Sequence, residues 1–219
     1  GTKFSTTVDG QSYSFINNAD VSIPPASGVY KFSNLVIYEG SYLNYKYTAN
    51  TSDIDQRFII PNDTVDTTTL TVKVQTSSSD SSTRTYTLAT GITGIDNTSE
   101  VYFLQEVEGG RFEVYFGDGV MGKAIADGNI VILDYINSNR DAPNGASSFT
   151  LSGTIGGFTS ATVTTVSNAA GGTGLESISS IKYNAPRDYS AQDRAVTAED
   201  YKTLVKSLYA NAQAVQVYG

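Results

Sequence analysis

The chain contains no histidine, no cysteine and no tryptophan, and its single methionine is Met121. Those absences exclude whole chemistries. Without His or Cys there is no Ser-His-Asp or Cys-His catalytic pair, no structural zinc site, no haem held through either residue and no disulfide framework. An enzyme built on this chain would run on carboxylates, Lys, Tyr or Ser. Charge is scarce as well, at 16% of residues against roughly 25% in average globular proteins. No run approaches the roughly 18 apolar residues of a membrane span, and the start GTKFSTTVDG lacks the basic and then apolar pattern of a signal segment.

What fills the space is hydroxyl and ring. Ser and Thr number 25 and 26 in 219 residues, beside 15 Tyr and 9 Phe. Thr and aromatic residues pack well across pleated strands, so the composition reads as β-rich. The formal net charge of -8 opposes binding to nucleic-acid phosphates or anionic membranes, which attract Lys and Arg clusters. The length allows one large or two small domains with a core that needs no staples.

Turn chemistry and period-two patterning place the strands. Asp9-Gly10 joins KFSTTV to QSYSFIN as a hairpin, and Glu39-Gly40 separates VYKFSNLVIY from SYLNYKY. RFII ends at Pro61-Asn62, and in TTTLTVKVQT the residues Leu70, Val72 and Val74 share one face. The hydroxyl-rich tract from Ser77 to Thr83 reads as an exposed, mobile loop before RTYTLAT. The clearest hairpin is VYFLQEV, Glu108-Gly109-Gly110, RFEVYF; after it come a glycine-rich loop and the apolar strand IVILDYIN. Residues 149–166 are strand-like around a Gly156-Gly157 turn, and the end AVQVYG reads as a final strand or the approach to one.

After Gly171-Gly172 the period changes. Leu175, Ile178 and Ile181 fall at helical spacing in a segment that Pro186 is expected to stop. A second helix is expected over 198–209, with Thr197 as its cap and Asp200 at the third helical position. Its stripe of Tyr201, Leu204, Val205 and Leu208 lies at i, i+3, i+4 and i+7. The expected architecture is therefore mainly β with an α+β C-terminal section. Antiparallel sandwich-like β-structure over 1–170, divisible near 95, precedes two short helices in 171–219. The chain reads as a fragment whose helical section continues beyond its end.

Candidate chemistry is thin. Gly117-Asp118-Gly119-Val120-Met121-Gly122-Lys123 satisfies G-x-x-x-x-G-K, but Ala124 stands where Ser or Thr would hold magnesium and no helix follows. A glycine turn between strands explains it better. Glu106, Glu108 and Glu113 cluster on the hairpin, where Glu106 and Glu113 could face one another as a glycosidase pair does. Asp53 and Asp55 lack the Gly and distal Glu of an EF-hand. Arg187, Asp188, Asp193 and Arg194 form a balanced set between the helices that pairs either internally or with a neighbour.

Three stretches carry a resemblance when taken together. They are EVYFLQEVEGGRFEVYFGDGVMGKAIADGNIVILDYINSN, then DAPNGAS, then SISSIKYNAPRDYSAQDRAVTAEDYKTLV. Their order and wording resemble the baseplate wedge proteins of T-even-type contractile-tailed bacteriophages, relatives of the baseplate J family, over residues 58–219. RFEVYFGDGVMGK and NAPRDYSAQDRAVTAEDY are the most specific parts. The resemblance implies a structural virion protein, not an enzyme, assembled in the host cytoplasm into the tail baseplate. It further implies a homodimer that joins other wedge proteins in a sixfold ring around a hub, and a ring that rearranges as the sheath contracts. No cofactor, nucleic acid, membrane or small-molecule substrate is implied. Carried over as turn residues are Phe116, Gly117, Asp118, Gly119, Gly122 and Lys123. As docking and capping residues the reading takes Pro186, Arg187, Arg194, Thr197, Asp200, Tyr201, Leu204 and Leu208, together with the motif positions Ala185, Ala195 and Val196. Two other classes fit parts of the composition: a β-sandwich adhesin or carbohydrate-binding module, which leaves the helical section unexplained, and a carboxylate enzyme.

Overall fold

A computed structural model describes residues 1–219 except 54, 193, 210, 211, 213 and 219. The described chain forms two compact units, Gly1–Asn139 with Ala146–Ser167, and Arg140–Gly145 with Asn168–Gly219. The first holds all the strands and the second both helices. The protein is thus mainly β with two short C-terminal helices, as composition and periodicity led us to expect. No described helix is long and apolar enough to cross a membrane.

The first unit contains two sheets. In the smaller, β1 (Lys3–Val8) and β2 (Gln11–Ile16) form the hairpin expected from Asp9-Gly10, flanked by β3 (Tyr38–Glu39) and β11 (Thr150–Leu151). The larger has seven strands in the order β4, β10, β6, β7, β8, β9, β5. These are β4 (Ser41–Thr48), β5 (Phe58–Ile59), β6 (Val65–Gln75), β7 (Thr83–Leu88), β8 (Val101–Val107), β9 (Arg111–Phe116) and β10 (Ile130–Asn137).

Alternation sends one set of side chains from each of these strands inward. Leu70, Val72 and Val74 of β6 meet Val131, Leu133 and Tyr135 of β10, with Phe58, Tyr86, Tyr102 and Val114 completing the core. Each fully buried aliphatic or aromatic side chain contributes on the order of 1.5–3 kcal/mol. The sheet curls until its edges meet, because Tyr47 of β4 packs against Phe58 of β5 with ring centroids 5.6 Å apart. The Tyr47 hydroxyl also donates to the Ile59 carbonyl. The result is barrel-like, closed at the seam by side chains rather than by a ladder.

Several expectations need correction. The sheet is not wholly antiparallel: β7 and β8 pair in parallel, Thr87 with Val101 and Leu88 with Tyr102. The link 89–100 is far longer than a hairpin turn and returns the chain to the end it left, which is what a parallel pair requires. Of the strand-like stretch 149–166, only Thr150–Leu151 and an isolated bridge between Ile155 and Phe158 are paired. Residues 214–218 form no strand. In both places a β-favouring sequence forms no ladder among the described residues, and strand propensity has no meaning without a partner edge.

A bulge interrupts the pairing of β10 with β6 between Asp134 and Ile136. The Thr69 hydroxyl accepts from the Ile136 N–H at 3.0 Å and donates to the Asp66 carbonyl at 2.7 Å, so the backbone group displaced by the bulge is satisfied. The Ser77–Thr83 loop is exposed and bonds to itself, with the Asp80 N–H donating to Ser77 Oγ and the Ser82 N–H to Asp80 Oδ1.

Candidate functional site

The FGDGVMGK segment leaves β9 as a tight turn. Phe116 anchors it in the core, its ring 5.7 Å from Phe58 and 5.2 Å from Tyr86. Asp118 Oδ1 accepts from the N–H groups of Val120 and Met121 at 2.9 and 3.0 Å. Those two backbone bonds hold the Asp118 carboxyl below the usual range. Gly119 and Gly122 both adopt φ +88°, which L side chains rarely reach. Gly117 is required for a different reason: a Cβ there would lie 2.2 Å from the Met121 carbonyl oxygen.

The turn is fastened to the link between β7 and β8. Gly122 N–H donates to the Asp96 carbonyl at 3.0 Å and Lys123 N–H to the Ser99 carbonyl at 2.9 Å. Lys123 Nζ reaches Glu100 at 2.8 Å, and Arg84 lies 3.4 Å from the same carboxylate. The hydrogen bond from Lys123 holds the Glu100 carboxyl low, the cations adding to it against the effect of burial. Asp96, Ser99, Glu100 and Arg84 carried no motif; their role depends on a contact across the parallel β7–β8 pair.

This geometry is not that of a phosphate loop. The chain after Lys123 enters a turn and then β10 instead of a helix, and the Lys123 ammonium already has its carboxylate. We expect Lys123→Ala to lower stability by no more than about 1 kcal/mol, since the pair is partly exposed. Adding ATP with magnesium should leave the melting curves of both proteins unchanged; a shift seen in the wild type and lost in the variant would refute the structural role.

The hairpin carboxylates are not a catalytic pair. Glu106 pairs with Phe112 and Glu113 with Gln105, so alternation turns Glu106 and Glu113 to opposite faces. Glu113 instead lies 3.7 Å from Arg57. Among the described residues no group of three or more His, Cys, Asp or Glu is placed to hold a metal ion, and Asp53 and Asp55 are no exception.

A polar cluster that sequence reading missed sits on β10. Asp134 is buried on the outer face of the sheet, where Asn44 Nδ2 donates to it at 2.5 Å and Lys73 Nζ at 3.0 Å. Burial alone would raise its carboxyl; the hydrogen bonds from Asn44, Lys73 and Tyr42 and the charge of Lys73 outweigh that and hold it below the usual range. Burial first, then the hydrogen bond to Asp134 and the carboxylate's charge, push the Tyr42 hydroxyl up to about 12. The signal was the lone carboxylate inside IVILDYIN. A hydroxyl whose folded value exceeds its unfolded one, roughly 10, adds stability that is full below the unfolded value and is lost as pH rises through the folded one. Between about pH 10 and pH 12 wild-type stability should therefore fall more steeply than that of Tyr42→Phe in urea titrations. Equal slopes would refute the assignment.

The second unit carries α1 (Ile178–Ala191) and α2 (Ala198–Leu208). Ser177 caps α1, its Oγ accepting from the Ser180 N–H at 3.2 Å. Pro186 does not stop this helix but lies inside it. Proline removes one helical N–H and biases the residue before it away from helix. Next to it the Arg187 guanidinium donates to the Tyr183 carbonyl and lies 3.6 Å over the Tyr183 ring. The Ser190 hydroxyl donates to the Pro186 carbonyl at 2.7 Å.

The expected cap of α2 is present in full. Asp200 N–H donates to Thr197 Oγ1 at 3.2 Å, and Thr197 N–H returns to Asp200 Oδ2 at 2.8 Å. Arg187 pairs with a neighbour, Glu199 of α2, at 3.7 Å, and Lys202 lies 3.2 Å from the same residue. Arg194 donates to Gln192 Oε1 at 2.9 Å; Asp193 lies outside the described residues. The apolar stripe stays largely uncovered: Tyr201 is 49% exposed, Val205 41% and Leu208 86%, while Leu204 is half-buried. Ile178 and Ile181 of α1 are exposed too.

Residues 45–144 match the family model of the third domain of bacteriophage baseplate wedge protein gp6. That span includes β5 to β10, half of β4 and the whole FGDGVMGK turn, and leaves both helices outside. Baseplate wedge protein gp6 of Enterobacteria phage T4 is 28% identical over 145 residues, 56% of this chain and 22% of that relative. The chain thus spans about a fifth of the length of the curated relative it matches. Over residues 45–144 the chain is thus similar to the third domain of a bacteriophage baseplate wedge protein, and over 145 residues to the wedge protein gp6 of phage T4.

Proposed function

We propose that this chain is a load-carrying and docking piece of a phage tail baseplate wedge. Residues 1–170 serve as a stiff β scaffold, and the helical section 171–219 presents the docking surface. It has no enzymatic role and takes no cofactor, nucleic acid, membrane or small-molecule substrate. Its partners are a second copy of itself and other wedge proteins, which it holds in a sixfold ring around the hub and which rearrange with it when the sheath contracts.

The observation that carries this reading is the uncovered stripe of α2. A helix of 11 residues is marginal in water on its own, yet this one has a complete capping box and leaves Tyr201, Val205 and Leu208 exposed. Such a face is built to be buried by something else. Leu208→Asp tests it, because a side chain already exposed can be changed without disturbing the chain's own packing. The variant should keep the wild-type melting curve and lose co-assembly with the other wedge subunits by native mass spectrometry. Co-assembly at wild-type affinity would sink the docking role.

A further inference from the structure

The stretch DAPNGAS contains the one Asn-Gly pair in the chain, Asn144-Gly145. It ends a turn over 140–145, in which Arg140 and Gly145 adopt φ +58° and +87° and the Asn144 N–H donates to the Asp141 carbonyl at 3.0 Å. The turn grips a distant segment of the same unit. Asn144 Nδ2 donates to the Gly172 carbonyl at 2.7 Å and Asn144 Oδ1 accepts from the Gly172 N–H at 3.2 Å, while the Gly145 N–H donates to the Ala169 carbonyl at 2.8 Å. Gly172 fits only as glycine, since a Cβ there would lie 2.1 Å from the Arg140 carbonyl oxygen. Residues 168–177 form no helix or strand, so this clasp fastens the lead into α1.

An asparagine followed by glycine is chemically labile, because no side chain hinders the approach of the glycine nitrogen to the asparagine Cγ. When the Gly145 nitrogen attacks that carbon, a C–N bond closes a cyclic imide, and the proton given up by the Gly145 N–H leaves with Nδ2 as ammonia. Water then opens the ring at either carbonyl and leaves aspartate or isoaspartate at position 144. No oxidant or reductant enters. In the closed clasp both nitrogens are engaged, that of Gly145 with Ala169 and Nδ2 with Gly172, so the reaction runs through an opened form. The product does not close again, because a carboxylate has no N–H for the Gly172 carbonyl and sets an acceptor against an acceptor.

We propose that Asn144-Gly145 is a deamidation site gated by this clasp. Opening exposes the amide to cyclisation, and conversion makes the opening permanent, so the lead into α1 is released from the 140–145 turn. The inference concerns residues of the helical unit alone and does not depend on which partner that unit meets.

Peptide mass spectrometry reads the conversion directly, through the mass gained when the amide becomes an acid. At one mildly alkaline pH, conversion at Asn144 should be at least about tenfold slower in the folded protein than in urea. Gly172→Ala, 28 residues away, places a methyl group against the Arg140 carbonyl and should raise the rate in the folded protein at least about tenfold, with helix content by circular dichroism kept. Asn144→Asp imitates the product and should speed amide exchange at Gly145 while exchange within β10 keeps its wild-type rate; this variant decides the matter if Gly172→Ala does not fold. No conversion in urea would remove the site, and equal rates in folded and unfolded protein would remove the gate. Conversion of folded Gly172→Ala at the wild-type rate, or unchanged exchange at Gly145 in Asn144→Asp, would overturn the role of the clasp.

Discussion

Replacing Phe58 by Ala should lower the unfolding free energy by about 3–5 kcal/mol, the range for truncating a fully buried aromatic. Phe58 is 1% exposed and sits on a two-residue strand that, among the described residues, pairs with β9 alone. Its ring touches Tyr47 of β4 on one side and Phe116 of β9 on the other. Removing it both leaves a cavity and takes away the ring against which the seam closes, so collapse of the neighbours offers little relief. Urea titration followed by far-ultraviolet circular dichroism would measure the loss. Ile59→Ala, at the next residue but 37% exposed, provides the control and should cost clearly less, about 1 kcal/mol. Similar losses in the two variants would mean that the edges are held together by something other than this ring.

Gly117→Ala should cost more than about 2 kcal/mol, among the larger effects of a single added methyl. The new Cβ would meet the Met121 carbonyl oxygen at 2.2 Å and the Gly122 carbonyl carbon and oxygen at 2.4 Å. These are backbone atoms of the same turn, and they can move away only if Gly122 and Lys123 release Asp96 and Ser99. The expected result is a lower thermal midpoint together with faster amide exchange at Gly122 and Lys123. Gly128→Ala provides the contrast: Gly128, unlike Gly117, has positive φ, at +76°, but a Cβ there meets nothing within 4 Å, so only the conformational cost of about 1 kcal/mol remains. Equal effects at the two glycines would refute the close-approach argument.

The sequence by itself determined what depends on neighbours along the chain. Leu70, Val72 and Val74 had to share a face because side chains alternate along a strand. Gly109 and Gly110, at φ +82° and +70°, had to be the turn between β8 and β9. Thr197 and Asp200 had to cap α2, since each side chain reaches the other's backbone N–H. The family wording of RFEVYFGDGVMGK was equally legible.

Tertiary structure decided which edges meet and what is buried between them. The parallel pairing of β7 with β8, and with it the fastening of Gly122 and Lys123 to residues 96–100, depends on the path of a long link that no period encodes. Pro186 lies inside α1 although proline disfavours a helix interior, an outcome that the local sequence signal did not give. Asp134 is tolerated in a buried position because Asn44 and Tyr42 come from one neighbouring strand and Lys73 from the other. Residues 159–166 and the stripe of α2 have the local pattern of a strand and of a packed helix. Burial is a property of pairs of surfaces, however, so whether those patterns are covered depends on an edge or a face that lies elsewhere.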